Sequence, residues 1–317
     1  MLGIIILNYN TSDDVISCVN SILKTTKTDY RIYIVDNLST DDSYSHLRDH
    51  FMECDRIEVI LSDCNGGYSY GNNIGIKKAV LDGCDYLLIS NADIIYYKKS
   101  IDTMLEAIKK ESDIGVIGPS CRSFDKKESQ LYRKTYNTKL YLFSKQPFLY
   151  IGRRFSGTRT EYSKPKWINK DNSIFKFKGM VRGCCFLISS DLFKKMGYFD
   201  DNIFLYSEEW IVAKKLEKAG LFCACDFNAK VLHKEANSTS KEGTAFQTYH
   251  LYLSAFYYLK HYLKCNMAEL LFFYLQNVGV FSVRAILKKD YRKLLTSFLK
   301  DNTKLLLKKE KYRIWEN

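Results

Sequence analysis

The sequence has few of the features that mark secreted, membrane-spanning or low-complexity chains. Only 3 prolines and 16 glycines occur among 317 residues, which excludes collagen-like and proline-rich chains. The sequence does not open with the basic flank, apolar stretch and cleavage site of a signal peptide. No apolar run approaches the roughly 20 residues of a membrane-spanning helix. We therefore expect a globular, cytoplasmic protein with no signal peptide and no ordinary transmembrane helix.

Two common nucleotide-binding motifs and the zinc-knuckle spacing are missing as well. There is neither a Walker A loop nor a Gly-x-Gly-x-x-Gly fingerprint, which excludes the common P-loop and dinucleotide sites. Among the 10 cysteines, Cys184 and Cys185 are adjacent, and Cys223 and Cys225 alternate within a predicted strand. All ten cysteines are predicted to stay reduced, and these four are predicted to be small core residues.

Charge is distributed unevenly along the chain. The formal net charge is +12, from 48 Lys and Arg against 36 Asp and Glu. Residues 1–118 hold 11 basic and 18 acidic side chains, whereas the remaining residues hold 37 and 18. This basic rear half favours an anionic partner, for which nucleic acid, a diphosphate and a lipid headgroup surface are candidates. A lysine-rich surface that contacts only solvent is the alternative.

The first 118 residues alternate short β-branched runs with helical patterns, which predicts a sheet with crossover helices. The helix over Asp13–Leu23 is predicted from the spacing of its apolar residues, and further helices fit Asn72–Leu81 and Ser100–Lys110. The predicted strands are Gly3–Leu7, Ile32–Val35, Ile57–Leu61, Tyr86–Ile89 and Ile114–Ile117.

The pattern changes twice in the remainder of the chain. Residues 119–178 have no clear period and read as loops over a site or as a flexible insertion. Regular structure resumes at Gly179, with predicted strands Cys185–Ile188, Phe222–Cys225 and Lys230–Leu232 and predicted helices Asp191–Lys195 and Ser207–Ala219. From Phe246 onward the pattern is helical, aromatic and lysine-rich, typical of amphipathic helices on a membrane surface. A packed helical cap with a basic outer face is the equal alternative.

Each of the first four strands of the predicted sheet ends in polar residues. Open α/β sheets bind their ligands at these carboxyl ends, so the clusters predict one crevice. An acidic residue that ends the second strand, Asp36, is suited to accept a hydrogen bond from a base or ribose, and a turn or cap role is its alternative. The clusters are Asn8-Tyr9-Asn10, Asp36-Asn37, Asn65-Gly66-Gly67 with Gly71-Asn72-Asn73, and Asn91-Ala92-Asp93.

Eight segments of the sequence, some of which contain these clusters, resemble the family 2 glycosyltransferases of the GT-A fold and occur in the order found in that family. The resemblance is strongest to the bacterial rhamnosyltransferase-like branch that builds surface polysaccharide. The resemblance covers residues 3–240. It rests on Ile5–Asn10, Val35–Asp41, Asn65–Gly67 through Gly71–Gly75, Asn91–Asp93, Gly183–Ile188, Gly197–Asp200, Phe204–Glu209 and Val231–Lys234.

The resemblance implies an α/β fold with a mixed, mostly parallel sheet and flanking helices. It places a glycosyltransferase domain at residues 1–245, with a nucleotide-binding half at 1–118 and an acceptor-binding half at 119–245. Residues 246–317 would then form a C-terminal helical extension, the basic amphipathic tail.

The resemblance also implies a divalent cation, Mg²⁺ or Mn²⁺, that neutralises the leaving diphosphate. Asp93 stands where the family has its metal-binding acid, and His233 where a histidine often completes the site. Asn91 replaces the first acid of the usual Asp-x-Asp motif, so Asp93 is the sole carboxylate there. A structural role for His233 is the alternative.

For catalysis, the resemblance implies that Glu209 is the base that accepts the acceptor hydroxyl's proton, with Glu208 as its neighbour. Helix capping is the alternative role for both, and Ile211 stands where many relatives have another acid. The implied donor-binding residues are Asn8, Tyr9, Asn10, Asp36, Asn65, Gly67, Asn72, Asn73, Asn91, Arg182 and Gly183.

These inferences predict an inverting, metal-dependent glycosyltransferase at the inner face of the cell membrane. Its donor would be a nucleoside-diphosphate sugar (UDP- or dTDP-linked) and its acceptor a polyprenyl-diphosphate-linked glycan of capsule or O-antigen. The basic tail would contact the membrane surface. A non-catalytic module that binds a nucleotide-sugar or a partner enzyme is the rival interpretation. Nucleic-acid binding is disfavoured by the acidic front half.

Overall fold

The computed structural model describes residues 1–122, 132–134, 166–167, 173–234, 243–308 and 310–315. The first half contains β1 (Leu2–Asn8), α1 (Ser12–Thr25), β2 (Tyr30–Asp36), α2 (Ser43–Phe51), β3 (Ile57–Leu61), α3 (Gly67–Leu81), β4 (Tyr86–Asn91), β5 (Ile94–Tyr96), α4 (Ser100–Lys110) and β6 (Ile114–Arg122). The remainder contains β7 (Tyr132–Lys134), β8 (Lys166–Trp167), β9 (Ile174–Phe177), β10 (Gly179–Val181), β11 (Cys185–Ser189), α5 (Ser190–Lys195), α6 (Glu208–Lys218), β12 (Phe222–His233), α7 (Gly243–His261), α8 (Met267–Leu287) and α9 (Lys289–Leu307).

The main sheet has the strand order β3-β2-β1-β4-β11-β6-β12-β9-β8. Strands β1, β2, β3 and β4 are parallel to their neighbours within this set, and β12 is parallel to β6. Strand β11 runs antiparallel between β4 and β6. The predicted mixed, mostly parallel sheet with flanking helices is confirmed. Its parallel strands end together, which places their polar termini along one edge.

The core forms because the central strands and the helices that cover them present apolar faces to each other. Strand β1 is buried along nearly its whole length, as expected for a parallel strand covered on both sides. Helix α1 turns Val15, Cys18, Val19 and Ile22 inward, and this spacing is the one from which the helix is predicted. Prediction from sequence therefore works best where one face is uniformly apolar.

The C-terminal helices share a second hydrophobic cluster with helix α6 of the sheet domain. Phe256 and Tyr257 of α7 belong to the same cluster as Trp210 and Ile211 of α6. The Ser254 hydroxyl also donates a hydrogen bond of 2.7 Å to the Leu205 carbonyl. Helices α7–α9 therefore pack on the sheet domain as a helical cap.

Several elements differ from the predictions. Helix α3 begins at Gly67 instead of Asn72, and the two strands predicted between residues 222 and 232 are one strand, β12, with a register shift between Asp226 and Lys230. Helix α2 and the short strands β5, β9 and β10 were not predicted, because their few residues carry no distinctive period. Most of the segment predicted as irregular, residues 119–178, lies outside the described residues.

Helix α8 corrects the expectation that no apolar run approaches a spanning length. Among the described residues it is the one helix that is long and apolar enough to cross a membrane, with 21 residues and 39% of its most apolar stretch buried inside the protein. The expectation was wrong because Glu269, Gln276 and Asn277 interrupt the run in sequence without making the helix polar overall. Length and composition alone also fit a core helix of a soluble protein.

Candidate active site

A cleft of about 540 Å³ opens at the carboxyl ends of β1, β2 and β4, where the polar clusters were predicted to meet. Ten of the predicted site residues line it: Tyr9, Asn65, Gly67, Asn91, Asp93, Arg182, Gly183, Glu208, Glu209 and His233. This volume suits a ligand of nucleotide size.

The first functional group in the cleft is the pair of Asp93 and His233. Strand β5 pairs antiparallel with the end of β12, so that Ile94 lies opposite His233, and the Lys234 N–H donates to the Asp93 carbonyl. The two side chains thereby meet, with 3.2 Å between His233 Nε2 and Asp93 Oδ2. Burial lowers the pKa of His233, but the hydrogen bond to Asp93 outweighs it and, together with Cys121, raises the pKa to about 9.

The donor set at this end of the cleft fits a divalent cation. Asp93 offers a carboxylate and His233 an imidazole, and the side-chain oxygen of Asn91 is buried with no hydrogen-bond partner among the described residues. Mn²⁺ accepts such a mixed oxygen and nitrogen set, and Mg²⁺ is commonly held by one or two carboxylates plus substrate phosphates. The buried Asn91 oxygen without a partner is the structural observation that indicates a ligand at this end of the cleft.

The second functional group is the pair of Glu208 and Glu209 at the start of α6. Tyr206 and Ser207 precede this helix with a backbone φ of 70° each, so two successive left-handed residues turn the chain before the helix begins. Burial and the charge of Glu209 raise the pKa of Glu208 well above its usual value, and a hydrogen bond to Glu209 acts in the same direction. The protonated, neutral form is therefore favoured at Glu208, which is the more deeply buried member of the pair.

A short segment at Gly183 connects the two groups. A Cβ atom at Gly183 would lie 3.3 Å from Glu208 Oε1, and the next residue, Cys184, has its Sγ within 4.8 Å of a ring nitrogen of His233. Gly183 also accepts a 2.8 Å hydrogen bond at its carbonyl from the Tyr68 hydroxyl. The acidic pair and the Asp93–His233 pair thus lie on either side of one tight turn.

The N-terminus of α3 closes another side of the cleft against residue 204. Gly67 has φ +80°, and a Cβ there would lie 2.0 Å from the Phe204 carbonyl oxygen. The adjacent Tyr68 N–H donates to that same oxygen at 2.8 Å. Asn37 donates to Asn65 Oδ1 at 2.8 Å, which holds the loop before α3 to the end of β2. Glycine is required at position 67 by both backbone conformation and space.

Three predicted donor residues, Asn8, Asn10 and Asp36, are outside the cleft lining, at or just after the ends of β1 and β2. Asp36 is fully buried, and its carboxylate accepts hydrogen bonds from Asn8 Nδ2 at 2.6 Å and from the Ser39 N–H and hydroxyl at 2.8 Å each. Asn10 is bonded to Ser39 and Thr40. Asp36 thus fixes the turn after β2, and its direct bond to a nucleobase remains a prediction.

Asn72 and Asn73, on α3, also lie outside the cleft lining. Asn73 exchanges two hydrogen bonds of 3.1 Å with the backbone of Phe199, which ties α3 to the segment before α6. Asn72 is fully buried and donates to the Tyr68 carbonyl at 2.9 Å. In this structure both asparagines hold the loop that forms the cleft.

Eleven further residues line the cleft but were not predicted as site residues: Leu7, Thr11, Asp14, Asn37, Tyr68, Ala92, Cys184, Phe204, Leu205, Tyr206 and Phe246. Asn37 and Ala92 belonged to the strand-end clusters, and seven of the eleven stood within the resembling segments, which was the available signal: Leu7, Asn37, Ala92, Cys184, Phe204, Leu205 and Tyr206. Cys184 was predicted to be a core residue, and this is corrected: it is only partly buried and faces the cleft, whereas Cys185, Cys223 and Cys225 are buried. All ten cysteines are free of disulfides.

A mixed sheet with flanking helices and a polar cleft at the strand ends is the arrangement of the GT-A fold. Residues 3–197 match the family model described as glycosyl transferase family 2. The chain belongs to this family.

The relatives include bacterial glycosyltransferases. The chain is 28% identical over 132 residues to the glycosyltransferase GlyG of Streptococcus pneumoniae serotype 4, covering 42% of each chain. It is 25% identical over 166 residues to an N-acetylglucosaminyl-diphospho-decaprenol L-rhamnosyltransferase of Mycobacterium tuberculosis, covering 50% of each. The chain spans about half the length of these curated relatives.

Solved structures share the fold at low sequence identity. GalNAc-T7 with UDP, GalNAc and Mn²⁺ has a TM-score of 0.60 and 14% identity, covering 82% of this chain and 47% of that one. Residues 1–349 of TarS from S. aureus, with UDP-GlcNAc, have a TM-score of 0.57 and 11% identity, covering 96% and 81%. At these identities the likeness is one of fold.

Proposed function

We propose that this protein is an inverting glycosyltransferase that moves a sugar from a UDP- or dTDP-linked donor to a lipid-linked glycan of a bacterial surface polysaccharide. The observation that carries the proposal is the shared cleft, in which the Asp93–His233 pair and the Glu208–Glu209 pair flank the turn at Gly183. The Asp93–His233 pair is suited to hold a cation at the leaving diphosphate. The Glu208–Glu209 pair is suited to accept the proton of the acceptor hydroxyl. A single direct displacement between them inverts the anomeric carbon.

Glu209 is the group that accepts the proton of the acceptor hydroxyl as its oxygen attacks. A base must be ionised and within hydrogen-bond reach of that hydroxyl. Burial beside Glu209 favours the neutral form of Glu208, so we assign the base to Glu209, which is the less buried of the two.

Asp93, His233 and the Asn91 side-chain oxygen would hold Mg²⁺ or Mn²⁺ at the opposite end. The cation supplies charge neutralisation for the departing diphosphate. Arg182 lines the same cleft, and its Nη1 is buried with no hydrogen-bond partner among the described residues. We assign Arg182 to the donor's diphosphate, whose oxygens satisfy an unpartnered guanidinium. The solved neighbours named for UDP and Mn²⁺ or for UDP-GlcNAc agree with this chemistry.

A lipid-linked acceptor places the enzyme at the inner face of the membrane. The relative from Mycobacterium tuberculosis is named for a decaprenol-diphosphate acceptor. Helix α8 has an exposed apolar stripe, and Lys288 and Lys289 follow it as exposed residues. An apolar face beside lysines suits an anionic lipid surface. The stripe consists of Leu271, Phe272, Leu275, Val283 and Ile286, which share one side of the helix.

The donor is tested first. Purified protein is mixed with UDP-, dTDP- and GDP-sugars with and without Mn²⁺ or Mg²⁺, and thermal stabilisation and slow donor hydrolysis are recorded. We expect metal-dependent stabilisation by one nucleotide class, lost in Asp93→Asn. Stabilisation by a donor without hydrolysis or transfer to any lipid-linked acceptor would instead support the rival non-catalytic module.

The membrane contact is tested with point variants, because removal of α8 and α9 would expose the cluster that they share with α7. We expect the full chain to sediment with anionic vesicles and the double variant Leu271→Glu/Leu275→Glu to remain in solution. Leu81→Glu is the matched control, since Leu81 is 82% exposed on α3. Equal sedimentation of all three proteins would reject the membrane role of α8.

A further inference from the structure

A second group of potential metal ligands contains two thiols and shares His233 with the Asp93–His233 pair. The thiols of Cys121 and Cys184 and a ring nitrogen of His233 all lie within 4.8 Å of one another. Strand pairing explains the cluster: β12 is parallel to β6, with Val231 opposite Cys121 two residues before His233. Cys184 is fixed by its carbonyl, which accepts a 2.8 Å hydrogen bond from the Asn91 N–H.

We propose that Cys121, Cys184 and His233 form a binding site for a thiophilic divalent cation, of which Zn²⁺ is the representative. Two sulfurs and one imidazole are the donors that zinc prefers, whereas Mg²⁺ prefers oxygen. With Zn–S bonds of about 2.3 Å, tetrahedral geometry sets the sulfurs about 3.8 Å apart. The observed cluster therefore needs to contract by no more than about 1 Å.

The surroundings of His233 also suit this ion. Its Nε2 lies 3.2 Å from the Asp93 carboxylate, its Nδ1 is buried, and the Cys121 thiol lies within hydrogen-bonding range of the ring. A carboxylate on one ring nitrogen and a metal on the other is a common arrangement at zinc sites, where the carboxylate orients the ring. Binding releases the two thiol protons to solvent, because thiolates are the ligands.

The site has a free fourth position on the cleft side, where Cys184 and His233 face the space assigned to the donor. It shares His233 with the proposed Mg²⁺ or Mn²⁺ ligands, so the two kinds of ion cannot bind together. This last step rests on the proposed function: Zn²⁺ would inhibit sugar transfer by competing with the activating cation. The binding of Zn²⁺ itself does not depend on it.

Co²⁺ is the spectroscopic probe for the binding step. Metal-free, reduced full-length chain is titrated with Co²⁺ without oxygen, and then with Zn²⁺. We expect a thiolate-to-cobalt charge-transfer band that saturates at one ion per chain and disappears when Zn²⁺ is added. Cys121→Ser and Cys184→Ser should weaken binding by at least about 100-fold, because each removes a direct ligand. Cys54→Ser, outside the cluster, should keep the band. Absence of the band in the wild-type chain, or its survival in both cluster variants, would overturn the site.

A second measurement needs no variant and so does not depend on the folding of a substituted core. The wild-type chain is alkylated with iodoacetamide with and without one equivalent of Zn²⁺, and the labelled peptides are quantified by mass spectrometry. Cys184 and Cys54 are both partly buried, so they serve as target and control. We expect Zn²⁺ to protect Cys184 and leave Cys54 unchanged, and equal labelling of Cys184 would contradict the site.

Transfer assays with Mn²⁺ separate this inference from the proposed function. Competitive inhibition by Zn²⁺ supports both. A cobalt band in a protein with no transfer activity supports the thiolate site and contradicts the proposed function. Full activity with the thiolate site saturated by Zn²⁺ contradicts the overlap at His233.

Discussion

The Asp200 carboxylate accepts a 2.5 Å hydrogen bond from the hydroxyl of Tyr262, and this bond joins the sheet domain to the helical cap. Tyr257 donates to the same carboxylate at 3.0 Å, and so does Lys311. Asp200 is 8% exposed. A single buried acid of the segment Gly197–Asp200 thus receives three donors from the C-terminal part of the chain.

Asp200→Asn is expected to lower the free energy of unfolding by about 2 kcal/mol, because the neutral amide weakens the charge-assisted hydrogen bonds that the buried Tyr257 and Tyr262 hydroxyls donate. Urea unfolding measures this difference. The matched control is Asp201→Asn, since Asp201 pairs with Arg313 at 3.0 Å but its side chain is 29% exposed, against 5% for Asp200. A partly exposed pair of this kind is worth less than about 1 kcal/mol. Equal losses in the two variants would contradict the linking role of Asp200.

The same carboxylate predicts a defined pH dependence. Burial raises the pKa of Asp200, but the hydrogen bonds from Tyr262, Asn202 and Lys311 outweigh it and lower the pKa to about 2. Because the folded pKa lies below the usual value of 3.8, the stabilisation is complete above pH 4 and is lost as pH falls toward 2. The stability difference between wild type and Asp200→Asn should therefore shrink by about 2 kcal/mol between pH 4 and 2. A difference that stays constant over this range would refute the assignment.

Alanine substitutions at Gly67 and Gly83 separate two costs of adding a Cβ atom, which are the clash with the Phe204 carbonyl and the strain of a positive φ. Their φ values are +80° and +79°, but a Cβ at Gly83 would meet nothing within 4 Å, whereas one at Gly67 would overlap the Phe204 carbonyl. We expect Gly83→Ala to cost about 1 kcal/mol of stability from strain alone. Gly67→Ala should cost more and should also abolish donor-dependent thermal stabilisation, because α3 or the segment at Phe204 must move. Thermal unfolding with and without nucleotide-sugar measures both effects. Retained donor stabilisation in Gly67→Ala would show that this contact is dispensable.

A helix or strand could be predicted from the sequence where its own residues carry the apolar pattern, and could not where a distant strand holds it in place. The strands of the first half were predicted because they are continuous apolar runs, and α1 because Val15, Val19 and Ile22 recur on one face. Strand β5 could not be predicted, since three residues have no period and are held by pairing with the distant end of β12. That unpredicted pairing is what brings Asp93 to His233.

The site shows the same division. Of the ten predicted residues that line the cleft, Tyr9, Asn91 and His233 lie at or directly after the carboxyl ends of strands, which follows from a rule of topology. Arg182, Gly183, Glu208 and Glu209 precede a strand or begin a helix, and they were predicted from the family resemblance. Asp36 and Asn8 also stand at strand ends, but which end residues face the ligand depends on side-chain bonds such as that between these two. The approach of Cys121 to Cys184 has no sequence signal, because 63 residues separate them and neither has metal-ligand spacing.

The acidic pair gives the sharpest test of the proposed chemistry. Glu209→Gln removes the base and should reduce kcat by about 10²- to 10⁴-fold. Glu208→Gln should have a much smaller effect, because burial and the charge of Glu209 raise the pKa of Glu208 and favour its neutral form, for which the amide is a close substitute. Both variants should retain metal-dependent stabilisation by the donor, which confirms folding and an intact Asp93–His233 end. Initial rates of transfer at saturating donor measure the comparison. If Glu208→Gln loses as much activity as Glu209→Gln while donor binding is unchanged, the assignment of the base to Glu209 is wrong and the two carboxyl groups act as one unit.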